Sequence, residues 1–363
     1  MSGASADGVD AAVVEIRGAP PNLSVELLSF TCVSKDVFLG IDGGGTKTVA
    51  VLLDGNSQEI ARAVSGSSNI HSVGPAVAEA SLREAIERVL AAAGLTAADV
   101  TAVGLGMAGA ARPEDQQLVR DLLARVAPFR RVVITHDAEA ALVGGVSRRH
   151  GVVLIAGTGA IAYGVNAHGE SRRADGWGYL LGDEGSAHWI GLEGLRAVVR
   201  AHDGRGAGTA LTDRLLSHLG LLTADGLVTK VYAGDFDVPQ LAALASLVGD
   251  AARSGDPVAQ AIQREAGQRL GETVSAVVRG LGMRDQPFDA VLLGGVLRAR
   301  DLVWQTVVAA LSEVAPRACI VEPRHDAAVG AALLARGIGD RRVEGGEREC
   351  ACYGGAESGD GGD

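Results

Sequence analysis

Short apolar runs separated by glycine turns organise this chain. Residues 37–42 form one such run, which ends at Asp42, and a glycine turn leads into a second run at 48–54. Apolar runs of this length, bounded by turn residues, are typical of buried strands. The same strand–turn–strand pattern returns about 110 residues later, at 151–156 and 160–166. The repetition predicts two related halves.

The rest of the pattern predicts alternating strands and helices in both halves. In the first half it predicts a strand at 58–64, then helices near 75–93, 113–127 and 137–147 and strands at 101–107 and 131–135. In the second half it predicts strands at 170–174, 289–293 and 318–322, and helices at 186–202, 208–219, 238–253, 257–281, 300–313 and 326–336. The helix after Pro113, for example, places Leu118, Leu122 and Val126 on one face. We therefore expect two α/β lobes with a ligand cleft between them.

The length of the chain also favours two domains. Its 363 residues exceed the size at which a single core stops growing. We expect an N-terminal lobe at 37–150 and a C-terminal lobe at 151–337. Residues 1–36 show no clear periodicity, and we predict that they are a disordered extension, with a natural start near Val37 as a hypothesis. Residues 338–363 are predicted to be a disordered tail.

Charge and composition exclude several classes of protein. The net charge is −11, of which residues 1–36 carry −3 and residues 340–363 carry −4, and no basic stripe indicates nucleic-acid binding. No apolar run approaches the roughly 20 residues of a membrane span, and the acidic N-terminus is unlike a signal peptide. We expect a cytoplasmic protein. The four cysteines show neither a disulfide framework nor metal-ligand spacing: Cys32, Cys319, Cys350 and Cys352.

The first glycine turn is a candidate phosphate site. A turn without side chains lets backbone N–H groups surround a phosphate, and Asp42 at the strand end is suited to the magnesium that accompanies a nucleotide. The candidate phosphate contacts are Gly43, Gly44, Gly45, Thr46 and Lys47. The segment is not a P-loop, because a strand follows it instead of a helix. The alternative is a plain hairpin with glycines at left-handed positions.

The second glycine turn, Gly157-Thr158-Gly159, has a different alternative. Gly157, Gly159 and Ala162 fit a loose dinucleotide-binding fingerprint, which would indicate an oxidoreductase. That fingerprint requires a helix directly after the glycines, whereas a short β-rich run follows here. We therefore favour two glycine turns that bind one nucleotide.

Seven motifs together resemble one family. They are D-G-G-G-T-K-T at 42–48, S-S-N at 67–69, T-H-D-A at 135–138, A-G-T-G at 156–159, G-W-G-Y-L-L-G-D-E-G-S-A at 176–187, L-G-G-V at 293–296 and H-D-A-A-V-G-A-A at 325–332. Over residues 37–337 the chain resembles the actin-like sugar kinases, within them the BadF/BadG-type ATPase group, and most of all the N-acetylglucosamine kinases. The resemblance implies the two-domain actin-like ATPase (ribonuclease H-like) fold, with duplicated βββαβαβα lobes, and the use of ATP and Mg²⁺.

The resemblance also implies roles for residues that have ordinary alternatives. It makes Asp137 the general base that accepts the proton of a sugar hydroxyl, whereas position alone would make it a helix N-cap. It makes Asn69 a sugar contact instead of a turn residue. Trp177 would pack on a sugar face and Asp183 would bind its polar groups, although core and capping roles are the alternatives.

Four further residues complete the expected site. Thr158 suits either ligand, and we assign it to the substrate, while Gly159 would bind phosphate. Gly294 and Gly295 would lie against the adenosine, although a simple strand-to-helix glycine turn explains them equally well. The helix face at 327–332 is interpreted as a small-residue surface for close packing near an interdomain hinge.

These observations lead to a function hypothesis and an alternative. The hypothesis is an ATP-dependent kinase that phosphorylates the 6-hydroxyl of N-acetylglucosamine or a related amino sugar, expected as a homodimer because relatives commonly are. The alternative is a nucleotide-hydrolysing activator or switch protein without sugar kinase activity. The sequence leaves the identity of the amino sugar open.

Overall fold

The computed structural model describes residues 8–19, 22–34, 36–110, 112–232 and 236–337. Its strands are β1 (Gly8–Ala19), β2 (Asn22–Ser34), β3 (Val37–Gly43), β4 (Thr48–Asp54), β5 (Glu59–Ser65), β6 (Ala102–Met107), β7 (Val132–His136), β8 (Gly151–Ala156), β9 (Ala160–Val165), β10 (Ser171–Asp175), β11 (Phe288–Leu293) and β12 (Ala318–Ile320). Its α-helices are α1 (Ile70–Ala93), α2 (Pro113–Val126), α3 (Asp137–Val146), α4 (Ala187–His202), α5 (Leu211–Leu219), α6 (Gly226–Tyr232), α7 (Val238–Ala243), α8 (Ala245–Arg253), α9 (Pro257–Gly280), α10 (Gly295–Arg298), α11 (Leu302–Val314) and α12 (Ala327–Arg336).

The chain forms two compact units. The first runs up to Arg148 and also contains the segment from Arg324 through α12, while the second spans Arg149–Pro323. The division after Arg148 lies two residues before the expected one at 150/151. The larger difference is α12, which we expected in the second lobe and which packs in the first.

Both units contain a five-stranded mixed sheet with the same topology. The strand order is β5-β4-β3-β6-β7 in the first and β10-β9-β8-β11-β12 in the second. In each sheet the first three strands, taken in chain order, pair antiparallel. The fourth strand pairs parallel with the first, and the fifth pairs parallel with the fourth. The duplicated lobes inferred from the repeated strand–turn–strand pattern are therefore confirmed.

Most predicted elements match the structure to within two or three residues. Helix α1 begins five residues earlier than expected, because Asn69 caps an additional turn before a kink at Gly74 and Pro75. The helix predicted at 238–253 is two helices, α7 and α8, which meet at Leu244. The short helices α6 and α10 were not predicted, because four to seven residues are too few to show a helical period.

An antiparallel hairpin lies near the start of the chain. Strands β1 and β2 pair from Gly8 with Ser34 to Ala19 with Asn22 and form a sheet of their own. This differs from the disordered extension expected over 1–36, because backbone pairing does not require the hydrophobic periodicity whose absence led to that expectation. The predicted tail at 338–363 lies outside the described residues. Among the described helices, none is both long and apolar enough to cross a membrane.

Helix α12 lies close enough to the first sheet for its backbone to contact the strands. Each of the two strands beneath the helix has a glycine at the contact. A Cβ at Gly40 of β3 would overlap the carbonyl oxygen of Ala328, and a Cβ at Gly104 of β6 would overlap the carbonyl oxygen of Ala331. The expected small-residue face at 327–332 is thus the face that packs on the sheet.

The same helix packs as closely on α3. A Cβ at Gly330 would overlap the carbonyl oxygen of Ala140, and a Cβ at Gly144 would overlap that of Asp326. Backbone hydrogen bonds secure the start of the segment, since the N–H groups of Arg324 and His325 each donate at 3.0 Å to carbonyls of α3. Asp326, the N-cap of α12, is therefore held at a fixed position beside α3.

The substitution Gly330→Ala tests this close packing. In an ordinary helix interior, replacing glycine with alanine stabilises a protein by roughly 0.5–1 kcal/mol. Here the added methyl group overlaps α3, so we expect the free energy of unfolding to fall by about 1–3 kcal/mol or more. Gly208→Ala is the control, because no atom lies within 4 Å of its added Cβ. Chemical denaturation measures both, and a stabilised Gly330→Ala variant would contradict the packing.

Candidate functional site

The turn between β3 and β4 has an open backbone. Gly44 donates its N–H to the carbonyl of Lys47 at 3.0 Å, and residues 45–47 are exposed. None of the three glycines at 43–45 has a left-handed φ, so the alternative of a plain hairpin that needs glycine for its conformation is wrong. Gly43 is required because a Cβ would overlap the sulfur of Met107, whereas a Cβ at Gly45 would meet no atom within 4 Å. The open turn is available to a phosphate group.

Hydrogen bonds from the following loop fix the base of this turn. The Thr48 hydroxyl donates to the carbonyl of Gly66 at 2.7 Å and is hydrogen-bonded to the Ser68 hydroxyl at 2.8 Å. The Ser67 hydroxyl donates to the carbonyl of Gly44 at 3.1 Å. The glycine turn and the loop that carries Asn69 therefore form one rigid assembly.

Asn69 is the N-cap of α1, and half of its amide is committed to that role. Its Oδ1 accepts the N–H of His71 at 3.0 Å. In the described part of the chain, the Asn69 amide nitrogen makes no hydrogen bond, so it can donate to a ligand. Gly109 lies against the same side chain, since a Cβ there would be 3.2 Å from the Asn69 oxygen. His71 in turn pairs with Asp115, with 3.1 Å between Nε2 and Oδ1.

Asp137 is the first residue of α3 and does not cap it. The N-cap is His136, whose Nδ1 accepts the N–H of Glu139 at 3.2 Å. The Asp137 carboxylate accepts a single backbone hydrogen bond, from Ala138 at 2.9 Å. The capping role considered as the alternative is therefore wrong.

Asp42, at the end of β3, belongs to a cluster of carboxylates. It pairs in register with Gly106 of β6, and a Cβ at Gly106 would lie 3.6 Å from the Cα of Asp137. Burial, Asp137 and Asp326 raise the pKa of Asp42 from 3.8 to about 6, against the opposing effect of Lys47. Negative charges concentrated in this way favour a cation.

The chemistry of this cluster fits Mg²⁺ brought by a nucleotide. Carboxylate oxygens are the ligands that Mg²⁺ prefers, and this ion usually keeps several waters. No group of three or more His, Cys, Asp or Glu side chains in the described ranges is arranged to hold a metal directly. A water-mediated contact from Asp42 is consistent with both observations.

Asp326 is the member of this cluster that the sequence analysis missed. It caps α12 by accepting the N–H of Val329 at 3.1 Å, and it accepts a hydrogen bond from Arg62 at 2.5 Å. Its motif at 325–332 was assigned a packing role only. The sequence feature that could have revealed Asp326 is its position at the start of a helix, within a motif that the chain shares with the recognised family.

The second glycine turn, between β8 and β9, is held by the start of α4. The N–H groups of Ala187 and His188 donate to the carbonyls of Gly157 and Thr158, at 2.8 and 3.3 Å. A strand follows Gly159 directly, beginning at Ala160. The dinucleotide-binding alternative, which requires a helix at this point, is therefore wrong.

Asp183 is buried beneath this turn. It is 9% exposed, and its Oδ1 accepts the N–H of Ala160 at 2.9 Å. Burial raises the pKa of Asp183, and the negative charge of Asp175 adds to this effect. Both aspartates have left-handed φ angles, which are unusual for residues other than glycine. The N-cap of α4 is Ser186, so the capping role considered for Asp183 is wrong.

Trp177 is a surface residue. Its side chain is 62% exposed, and the Arg173 guanidinium carbon lies 4.8 Å from the ring centroid. Three other apolar residues of the same loop are also exposed, namely Tyr179, Leu180 and Leu181. The core role considered for Trp177 is therefore wrong, and its ring remains available to a ligand.

The second unit contains a cavity of about 730 Å³. Thr158 and Gly295 both line it, so the structure places Thr158 with the expected adenosine-side residue. The two neighbouring glycines differ in role. Gly294 has φ of 100° and no room for a Cβ beside the backbone of Ala156, which makes it a structural turn residue, whereas a Cβ at Gly295 would meet no atom within 4 Å.

Each unit thus contains part of the expected site. The first brings together Asp42, the turn at 43–47, Asn69 and Asp137. The second contains Thr158, Gly159, Trp177, Asp183, Gly294 and Gly295.

Comparison with known proteins identifies the family. The model of the BadF/BadG/BcrA/BcrD ATPase family matches residues 39–335. The chain belongs to this family. The expected family membership and the actin-like fold that accompanies it are therefore confirmed.

Relatives with assigned functions align with this chain over almost their full length. An N-acetyl-D-glucosamine kinase from Dictyostelium discoideum is 37% identical over 314 residues, which cover 84% of this chain and 98% of that protein. An N-acetylmuramic acid/N-acetylglucosamine kinase from Clostridium acetobutylicum is 33% identical over 298 residues, covering 82% and 97%. A crystal structure from Chromobacterium violaceum, assigned as an N-acetylglucosamine kinase, superimposes with a TM-score of 0.67 at 30% identity and covers 82% and 98%.

The raised pKa of Asp42 leads to a test of the carboxylate cluster in this BadF/BadG/BcrA/BcrD family member. Between pH about 4 and 6 the folded protein retains a proton that the unfolded chain has released, so stability falls as the pH rises. In the absence of nucleotide and Mg²⁺, we expect Asp42→Asn to remove this loss of stability and to raise the Tm at pH 8 by several degrees. This advantage, the difference in Tm between the variant and the wild type, should shrink steadily as the pH is lowered from 6 to 4.

Thermal melts at pH 4.5, 6 and 8 measure this advantage, with the exposed Asp121→Asn as control. A variant that is less stable than the wild type at pH 8 would contradict the cluster. The same variant should require more Mg²⁺ for the use of ATP, and an unchanged Mg²⁺ titration would remove Asp42 from the metal site.

Proposed function

We propose that this protein is an ATP-dependent kinase that phosphorylates the 6-hydroxyl of N-acetylglucosamine or a related amino sugar. The observation that carries the proposal is the position of Asp137. Its carboxylate is not used as a helix cap, and it adds to the charge that raises the pKa of Asp42. A base beside a cation site is the arrangement that phosphoryl transfer to a hydroxyl requires.

The nucleotide would be held by backbone and by one cationic side chain. The open turn at 43–45, with Thr46 and Lys47, suits phosphate oxygens, and Gly159 provides a second backbone contact. The cavity lined by Thr158 and Gly295 has room for the adenosine. Asp42 would hold Mg²⁺ through water, and Mg²⁺ neutralises charge on the phosphates.

Polar and aromatic groups would position the sugar. Asn69 offers an amide nitrogen that makes no hydrogen bond among the described residues, and Asp183 offers a carboxylate beneath the second glycine turn. The exposed ring of Trp177 provides a flat surface for a sugar face. Thr158 lies where it could contact either ligand. The amino sugars differ by single substituents, so we do not assign one among them.

Asp137 would perform the proton transfer. As the sugar 6-oxygen forms its bond to the γ-phosphorus, the bond from that phosphorus to the bridging oxygen breaks and ADP leaves. The hydroxyl proton passes to the Asp137 carboxylate, which bears only one backbone hydrogen bond and can accept it. The proton is later released to solvent.

A coupled ADP-release assay with a panel of sugars tests the proposal. The panel contains N-acetylglucosamine, glucosamine, N-acetylmuramate and glucose. Turnover that depends on one of the amino sugars supports the kinase. Hydrolysis of ATP at the same rate without sugar would instead support the alternative, a switch protein that uses hydrolysis to change shape.

Asp137→Asn separates binding from chemistry. The amide is nearly isosteric with the carboxylate but accepts protons poorly, so kcat should fall by about 10²–10⁴-fold. The KM values for ATP and sugar should stay within a few-fold of the wild type. Asp121→Asn, an exposed substitution of the same kind, should leave kcat unchanged. More than about a tenth of wild-type turnover in Asp137→Asn would show that another group is the base.

Trp177→Ala tests the proposed sugar contact. Because the ring is 62% exposed, the variant should melt within a few degrees of the wild type but lose the Tm increase caused by N-acetylglucosamine. Trp304→Ala is the matched control, since Trp304 also lies beside an arginine but packs against the core. It should melt earlier and keep the sugar-dependent shift. A preserved shift in Trp177→Ala would remove this residue from the sugar site.

A further inference from the structure

Gln263 is a buried polar residue on the wall of the 730 Å³ cavity. It lies on α9 and is 4% exposed. Its amide makes no hydrogen bond within the described ranges. An amide that borders a cavity with its donor and acceptor unused can form hydrogen bonds with a ligand there.

The Gln263 amide packs against a glycine of the neighbouring helix. A Cβ at Gly249 of α8 would lie 3.2 Å from the amide nitrogen of Gln263 and 3.3 Å from a guanidinium nitrogen of Arg253. Other residues of the cavity wall are small, notably Ala242, Ala243, Ala245 and Ala299. The amide therefore borders the cavity together with small apolar side chains.

The charges at the cavity favour a neutral ligand at this point. Arg253 also lines the cavity, but its guanidinium pairs with Asp250 at 2.5 Å and with Asp301 at 3.7 Å. Its charge is compensated, so it offers no strong attraction for a phosphate. A neutral heterocycle fits this combination of walls and charges better than an anion does.

We propose that Gln263 selects adenine by its 6-amino group and N7, an inference that rests on the proposed use of ATP. The amide oxygen accepts a hydrogen bond from the 6-amino group while the amide nitrogen donates to N7, a bidentate pairing typical of glutamine with adenine. Hypoxanthine and guanine present oxygen at position 6 beside N7. Position 6 and N7 are then both hydrogen-bond acceptors, so the amide oxygen of Gln263 finds no donor. These bases should therefore bind less tightly.

Binding of three diphosphates tests the pairing without turnover. The probes are ADP, IDP, which replaces the 6-amino group with oxygen, and 7-deaza-ADP, which lacks N7, all measured by calorimetry. We expect the wild type to bind ADP about 5- to 100-fold more tightly than either analogue, the range of one bidentate contact. Gln263→Met should weaken ADP binding and bring the three affinities within about 3-fold of one another.

A second variant distinguishes the two hydrogen bonds. Gln263→Glu keeps an acceptor for the 6-amino group but cannot donate to N7 when ionised. It should therefore bind 7-deaza-ADP at least as tightly as ADP, because the second carboxylate oxygen faces the N7 lone pair of ADP, and both more tightly than IDP. Gln268→Met on the same helix is the control, because Gln268 is exposed and should leave all three affinities unchanged. Thermal melts establish that each variant is folded.

The outcomes separate this proposal from the proposed function. If Gln263→Met still prefers ADP over IDP and 7-deaza-ADP as the wild type does, Gln263 does not select adenine. The same conclusion follows if the wild type binds the three diphosphates equally. If sugar-dependent ADP release continues in either case, the kinase proposal stands. A wild type that binds no ADP and shows no sugar-dependent turnover contradicts both proposals.

Discussion

The close approach of α12 to the first sheet is the constraint on which the candidate site depends. Glycines on β3, β6 and α3 bring backbone against backbone, where any side chain would separate the elements. Because α12 starts at Asp326, this packing places a third carboxylate within electrostatic range of Asp42 and Asp137. The chain returns to the first unit for this single helix after completing the second.

The resulting cluster is unfavourable to the protein alone. Partial burial and two neighbouring carboxylates oppose the ionised form of Asp42, and Lys47 compensates only in part. Left-handed aspartates at 175 and 183 add backbone strain in the second unit. Costs of this kind are common at functional sites, where a ligand or the chemistry gives the reason for keeping them. A divalent metal ion that accompanies the nucleotide would supply positive charge at this cluster.

The sequence was sufficient for the elements and the duplicated topology, because apolar runs and glycine turns are local signals. It could not place α12, since membership of a unit depends on contacts across roughly 200 residues of chain. Nor could it separate caps from functional aspartates: both Asp137 and Asp183 stand near helix starts, but His136 and Ser186 are the caps. The position of Gln263 on the cavity wall was equally hidden, because it is set by tertiary packing. The contributions of Asp42, Asn69 and Trp177 to a shared site stay predictions.

Phosphorus NMR of the product tests the central claim most directly. The protein would be incubated with Mg²⁺, ATP and N-acetylglucosamine, and the phosphorus–proton couplings of the product would be recorded. The account predicts a new phosphomonoester signal coupled to the two protons at C6, with one equivalent of ADP. Inorganic phosphate as the only new phosphorus species besides ADP would contradict it, since the γ-phosphoryl group would then have been transferred to water.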